Sequence, residues 1–110
     1  MSDALVEAFG NRVSLQHRLR TGIVDARIFG DAFAWSCLIE IKNTLSIDAY
    51  DQLERYRSCI RTPVSRVIIA KNCGPVAFPE QPIYLRNIAD LKALAPGFYV
   101  LPFTSKGKTK

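Results

Sequence analysis

Residues 23–42, IVDARIFGDAFAWSCLIEIK, read as two β-strands joined by a turn at Gly30-Asp31. Ile23, Val24, Ile28 and Phe29 favour extended backbone. Residues 33–42 are apolar on both faces until Glu40 and Lys42 close the run. A charged residue in a strand that otherwise reads as buried carries a desolvation cost and needs a reason. Side chains two apart on a strand share a face, so Glu40 and Lys42 stand side by side. Asp25 reaches that face if the hairpin pairs residues whose numbers sum to an odd value, and a turn over residues 30–33 gives such a register. Asp25 and Glu40 are then diagonal neighbours, roughly 7–8 Å apart at the backbone and closer at their oxygens.

Two carboxylates at that spacing repel unless a cation lies between them. Hard oxygen donors of this kind suit Mg²⁺ or Mn²⁺, which keep several waters and take one or two protein carboxylates. A lysine beside them can orient or deprotonate a water, or neutralise charge developing on a phosphate. The plainer reading of an isolated E-x-K is a solvated pair at a strand end, and the flanking chain has to decide between the two.

At 110 residues the chain is long enough for one domain with its own core, and its 48% hydrophobic and 23% charged content is that of an ordinary globular protein. We expect a single domain over residues 1–103 and a polar, disordered tail over residues 104–110 carrying Lys106, Lys108 and Lys110. No apolar run approaches the ~20 residues of a membrane span and no secretory signal pattern stands at the start, so no membrane association is expected. Three cysteines, Cys37, Cys59 and Cys73, lack C-x-x-C spacing and signal neither a disulfide framework nor a zinc site. Cys37 is expected as a small apolar residue of the central strand. The compartment implied is reducing, most simply a cytoplasm. A net charge of +5 suits a polyanionic partner without demanding one.

Residues 3–9 form a short helix stopped by Gly10, with Leu5, Ala8 and Phe9 as its apolar stripe and Glu7 off it. Residues 12–20 alternate, placing Val13, Leu15, His17 and Leu19 on one face and Ser14, Gln16, Arg18 and Arg20 on the other. His17, the only histidine, reads as a core or strand-edge residue rather than a general base. Arg18 and Arg20 face away from it, toward solvent or a phosphate. With Thr21-Gly22 as a turn, residues 12–42 make a three-strand meander. A helix follows over residues 46–60, capped by Ser46, with acids early and arginines late; Ile47, Tyr50, Leu53, Tyr56 and Ile60 should face the sheet. Residues 64–71 give a fourth strand through a parallel crossover, residues 83–85 a short strand, Asn87 caps a helix over residues 88–95, and residues 98–103 form the last strand.

This order of elements, with an acid on the second strand and E-x-K on the third, resembles the PD-(D/E)xK nuclease superfamily, and within it the small Holliday junction resolvase-like and RecB-like groups. The resemblance covers residues 4–72. It implies an α/β, restriction endonuclease-like αβββαβ core with a mixed central sheet flanked by helices. Asp25 takes the place of the family's first acid, and Glu40 and Lys42 that of its E-x-K. Val24 precedes Asp25 where the family often has proline or a small residue, which leaves Asp31 as the alternative acid. Those groups often carry a glutamate in the first helix, where Glu7 stands, and a glutamine with a tyrosine one turn later, here Gln52 and Tyr56 of AYDQLERY. The implied activity is Mg²⁺- or Mn²⁺-dependent hydrolysis of DNA, duplex or branched and open to selectivity for structure, with no small-molecule cofactor and with a homodimer as a natural arrangement. Asp25, Glu40 and the Ile41 carbonyl would hold the metal, with Glu7 on a metal-bound water or a second ion. Lys42 would activate the water, Gln52 would orient Lys42 or a phosphate, and Arg18, Arg20 and the tail lysines would meet the nucleic acid. The competing expectation is a module of the same fold that binds nucleic acid without cleaving it.

Overall fold

Two apolar runs, CLIEI within Ser36–Thr44 and VIIA within Val64–Asn72, set the centre of the structure. Both are buried on both faces over most of their length, as parallel strands between two layers require. The computed structural model describes residues 1–30 and 35–103. It is an α/β fold with a six-stranded mixed sheet. Helix α1 (Ser2–Phe9) leads into β1 (Val13–Leu19), β2 (Gly22–Phe29) and β3 (Ser36–Thr44), an antiparallel meander. Helix α2 (Ile47–Arg57) crosses over to β4 (Val64–Asn72), parallel to β3. Strand β5 (Ile83–Tyr84), a 3-10 segment (Ile88–Ala93) and β6 (Phe98–Pro102) complete the chain, in sheet order β1-β2-β3-β4-β6-β5.

The core has two layers. Ala49, Tyr50, Leu53 and Tyr56 of α2 pack on Val24, Leu38, Ile68 and Val100 on one face. Leu5 of α1 and Leu91 of the 3-10 segment pack on Ala26, Ile39, Val67 and Ile69 on the other. Cys37 is fully buried there, and burial pushes its thiol up to about 12, so it packs as an apolar residue. No helix of the described residues is long and apolar enough to cross a membrane.

Several local expectations need correction. Ile47 is exposed rather than core, because Leu45 and Ala49 take the sheet side of the first turn. Helix α2 ends at Arg57 rather than Ile60; Cys59 and Ile60 donate to the carbonyls of Tyr56 and Arg57 in a tightened final turn. Ile60 still packs against the core from there. The segment after Asn87 has the expected Asn87–Asp90 capping box but coils as 3-10 helix, and Leu94 is already extended. Strand β3 runs on through Asn43 and Thr44, past the expected exit from the sheet.

The alternation in β1 does not keep one face throughout. Val13 packs with the α1-side core, whereas Leu19, six residues on, packs with the α2-side core. Strand β2 does the same, with Ala26 and Ile28 on the α1 side and Val24 on the α2 side. The pairing register is unbroken across this change. It is taken up at Gln16, the one non-glycine residue with positive φ among those described (48°), which lies opposite Asp25 between the Leu15–Ala26 and His17–Val24 pairs. The strand pair swaps faces at the residue that the sequence marks as an acid.

Candidate active site

Strands β2 and β3 pair from Phe29–Ser36 to Ala26–Ile39 and no further. One step on, Asp25 and Glu40 lie at the same level, and side chains take over from the backbone ladder. The Ile41 N–H donates to Asp25 Oδ2 at 2.8 Å, and the Asp25 N–H points to Glu40 Oε2 at 3.4 Å. The two acids therefore stand opposite one another rather than diagonally. The parity of the register is odd as expected, but β2 ends at Phe29 and β3 starts at Ser36, with the Gly30 N–H donating to the Trp35 carbonyl, so the strands are set one pair further apart than a turn over residues 30–33 gives. Asp31, the alternative acid, lies outside the described residues.

Glu40 is 3% exposed. Burial raises its pKa first and the Asp25 carboxylate raises it further; Lys42 and the Asp25 N–H pull the other way, and the balance stands at about 7. Lys42 Nζ lies 3.6 Å from Glu40 Oε1, with the lysine side chain about one-third exposed. A buried acid, a half-buried acid and a lysine reaching solvent thus share one opening between strands. In a strand residue N–H and C=O face the same edge, so the Ile41 carbonyl faces that opening too. A cavity of about 250 Å³, lined by Met1, Ile41, Ile69 and Phe103 with Lys42 and Lys71, lies on the α1 side of these strand ends and touches neither acid.

The chain matches no protein-family model, no curated protein and no solved structure.

Helix α2 packs on the side of the sheet that carries Val24 and Leu38. The Tyr56 hydroxyl donates to the Ile23 carbonyl at 3.0 Å, pinning α2 to the start of β2, and Gly22 leaves room for that ring. One turn earlier Gln52 is half-buried, with its Oε1 enclosed and accepting no hydrogen bond. Glu7 is not brought in: it is exposed on α1, whose buried Leu5 serves the opposite face of the sheet. No group of three or more His, Cys, Asp or Glu side chains placed to hold a metal ion occurs among the described residues. Arg18 and Arg20 are exposed on and beside β1. Lys106, Lys108 and Lys110 lie outside the described residues.

His17 is half-buried against the Phe29 ring, its Nδ1 2.9 Å from Ser14 Oγ and its Nε2 3.4 Å from Arg27. Burial, and then the Arg27 charge, hold its pKa below the ordinary value. A second constellation escaped the sequence reading. Arg66 of β4 is 6% exposed and pairs with Glu54 of α2 and with Glu80, 2.7 Å away, which also accepts from the Tyr50 hydroxyl at 2.7 Å. The signal was present: an arginine inside VSRVIIA is as anomalous as Glu40 inside CLIEI. Its partners are spent on it, so this cluster fastens the loop bearing Glu80 to α2 and β4 and offers no reactive group.

Proposed function

We propose that this chain is a divalent-metal-dependent nuclease of the PD-(D/E)xK type, with a restriction endonuclease-like core, hydrolysing DNA phosphodiester bonds. The observation that carries the reading is Glu40: an almost fully buried carboxylate, pushed up to about 7, set against Asp25 and beside Lys42. Such an arrangement costs stability as it stands, and strongly shifted acids in an opening are the mark of functional sites. The donor set fits a hard cation, which takes one or two carboxylates and relieves their repulsion. Asp25 and Glu40 would hold it, with the Ile41 carbonyl facing the same gap. A bound Mg²⁺ or Mn²⁺ supplies Lewis acidity toward the phosphate and a nucleophile at neutral pH.

The remaining work falls to the protein's own groups. Lys42 reaches from the Glu40 carboxylate to solvent, where its ammonium can hold the attacking water and offset charge on the phosphate oxygens. The Gln52 oxygen is enclosed and accepts no hydrogen bond, and in this reading it would orient Lys42 or a phosphate. Asp25 keeps its position because Ile41 N–H fixes one of its oxygens. The separation of Glu7 from this pair favours one competing reading, a module that binds nucleic acid and does not cut it.

The two separate in one assay. Purified protein is incubated with supercoiled plasmid and with a four-way DNA junction, with Mg²⁺, with Mn²⁺ and with chelator. Metal-dependent nicking that disappears in Glu40→Gln and Lys42→Met supports the nuclease. Salt-sensitive retention of DNA without cleavage, unchanged in both variants, supports the binding module.

A further inference from the structure

Arg27 stands two residues beyond Asp25 on β2, about 7 Å along the strand. Its guanidinium lies over the Phe29 ring at 4.6 Å, and its Nε is enclosed without an acceptor. No carboxylate of the described residues lies within ion-pair distance of it. Among the described residues its one polar partner is His17 Nε2 at 3.4 Å. A guanidinium can only donate, so His17 Nε2 accepts and the neutral ring carries its hydrogen on Nδ1. That hydrogen points at Ser14 Oγ, 2.9 Å away, and Ser14 pairs directly across from Arg27. The network therefore runs in one direction, from cation through imidazole to a hydroxyl whose own hydrogen is left to donate. The group that completes a cation and a hydroxyl donor, with no acid among them, is an anion with several oxygens.

We propose that Arg27 and Ser14, oriented by His17, bind a backbone phosphate of the nucleic acid, next along the strand from the one held beside Asp25 and Glu40. This rests on the nuclease reading for the identity of the polymer, not for the existence of the anion site. The subsite lies on the β1–β2 ribbon, which is one edge of the sheet and carries exposed Arg18 beside it. An open ribbon suits an extended polyanion better than a small free phosphate, which needs enclosure. Arg27 is then a positioning residue for substrate, setting the register of the strand relative to the carboxylate pair.

His17 is the only histidine, so its ring signals in an NMR spectrum report on the subsite without ambiguity. The full chain, free of metal, is titrated with inorganic phosphate and separately with a short single-stranded oligonucleotide, and compared with Arg27→Gln, Ser14→Ala and Arg61→Gln. The His17 signals should shift saturably with both probes, at far lower concentration with the oligonucleotide. Arg27→Gln should weaken oligonucleotide binding about tenfold, the loss of one charge-assisted bond. It should also lower the slope of log affinity against log salt by about one. Ser14→Ala should weaken binding less, and Arg61→Gln, an exposed arginine beyond α2, should leave the His17 response in place. If Arg27→Gln does not fold, the Ser14→Ala result decides. No saturable shift with either probe, or variants at Arg27 and Ser14 that bind like wild type, overturns the subsite. A response to inorganic phosphate with no preference for the oligonucleotide overturns the polymer assignment. Failure of metal-dependent cleavage beside an intact His17 response removes the nuclease reading and leaves the phosphate subsite standing.

Discussion

The Asp25 carboxylate accepts a hydrogen bond from the Ile41 backbone N–H at 2.8 Å, at the point where β2 and β3 stop pairing. A side chain thereby satisfies a donor that the ladder has left behind, and the strands can part without an orphaned amide. The same bond fixes the acid that faces Glu40. Structure and proposed chemistry therefore load one residue, and they can be separated by substitution. Asp25→Asn keeps an oxygen for Ile41 and removes the charge; Asp25→Ala removes both. We expect both variants to lose cleavage, but Asp25→Ala alone to lose the stability of a satisfied amide, about 1–3 kcal/mol. Equal melting temperatures for the two would show that the bond to Ile41 contributes nothing.

Glu40 gives a pH dependence with a definite sign. Its pKa is raised from an ordinary value of 4.5 to about 7, so the folded protein favours the protonated acid. Stability from this group is fully present below about 4.5 and is lost as pH rises through about 7. The size is roughly 3 kcal/mol by the pKa difference. Glu54 and Glu80 have the opposite sign. Burial pushes Glu54 up, but Arg57 and Arg66 outweigh it, and Arg66 and then Tyr50 hold Glu80 down. Their stability is lost as pH falls through the lowered values. Metal-free melting curves should therefore peak in mildly acidic solution. Glu40→Gln should flatten the alkaline limb between pH 5 and 8 and leave the acid limb alone. An unchanged alkaline limb in that variant would remove Glu40 as its origin.

Arg66 provides a test of where the burden of burial lies. Its side chain is 7% exposed, against 28% for Glu54 and 41% for Glu80. Removing the arginine leaves two acids that can turn to water, whereas removing the acids leaves a buried cation with no carboxylate. The double variant Glu54→Gln, Glu80→Gln should cost about 3–5 kcal/mol, and Arg66→Met distinctly less. Denaturant unfolding gives both numbers. The reverse order would place the desolvation cost on the acids.

How far the sequence could be read follows from what kind of signal each feature leaves. The meander, the crossover helix with its Ser46 cap and the buried centre all rest on local patterns, and each is found near its expected place. Glu40 stood out because a charge interrupts an apolar strand. Arg66 obeys the same rule, but no second charge stands two residues away to suggest a pair. The level of Asp25 against Glu40 depended on the length of one connection, which hydrophobic pattern does not encode. The swap of faces at Gln16 left no trace, since apolar and polar residues go on alternating across it. Ile47 fell on the apolar stripe of α2 by spacing, yet the stripe of a first turn is shared with the residue before the helix, here Leu45.

Gln16 makes that swap testable. A left-handed φ of 48° is tolerated by asparagine and glycine and strained for a β-branched side chain. Gln16→Asn should be neutral within about 0.5 kcal/mol, since the residue is exposed and its conformation is one asparagine adopts. Gln16→Val should cost about 1–3 kcal/mol, although valine is the better strand former. Stabilisation by valine would mean that β1 runs straight past Asp25.

The metal site can be tested without substrate, through stability and pH together. An ion that binds only the folded state contributes RT ln(1 + [L]/Kd), about 1.4 kcal/mol at ~10 mM Mg²⁺ for an assumed Kd of ~1 mM. For a domain of this size that is a rise in melting temperature of roughly 6–10 °C at pH 8, where Glu40 is ionised. At pH 6 an acid titrating at about 7 is ionised only about one part in ten. The apparent Kd then weakens about tenfold and the gain falls to about 0.4 kcal/mol. Glu40→Gln should show a small response at both pH values, and Asp90→Asn, whose carboxylate caps the distant 3-10 segment, should behave like wild type. A wild-type response no larger than that of Glu40→Gln at pH 8 would mean that these carboxylates hold no metal. The pair would then be a strand-end device that satisfies Ile41, and the non-cleaving module would be the reading to pursue.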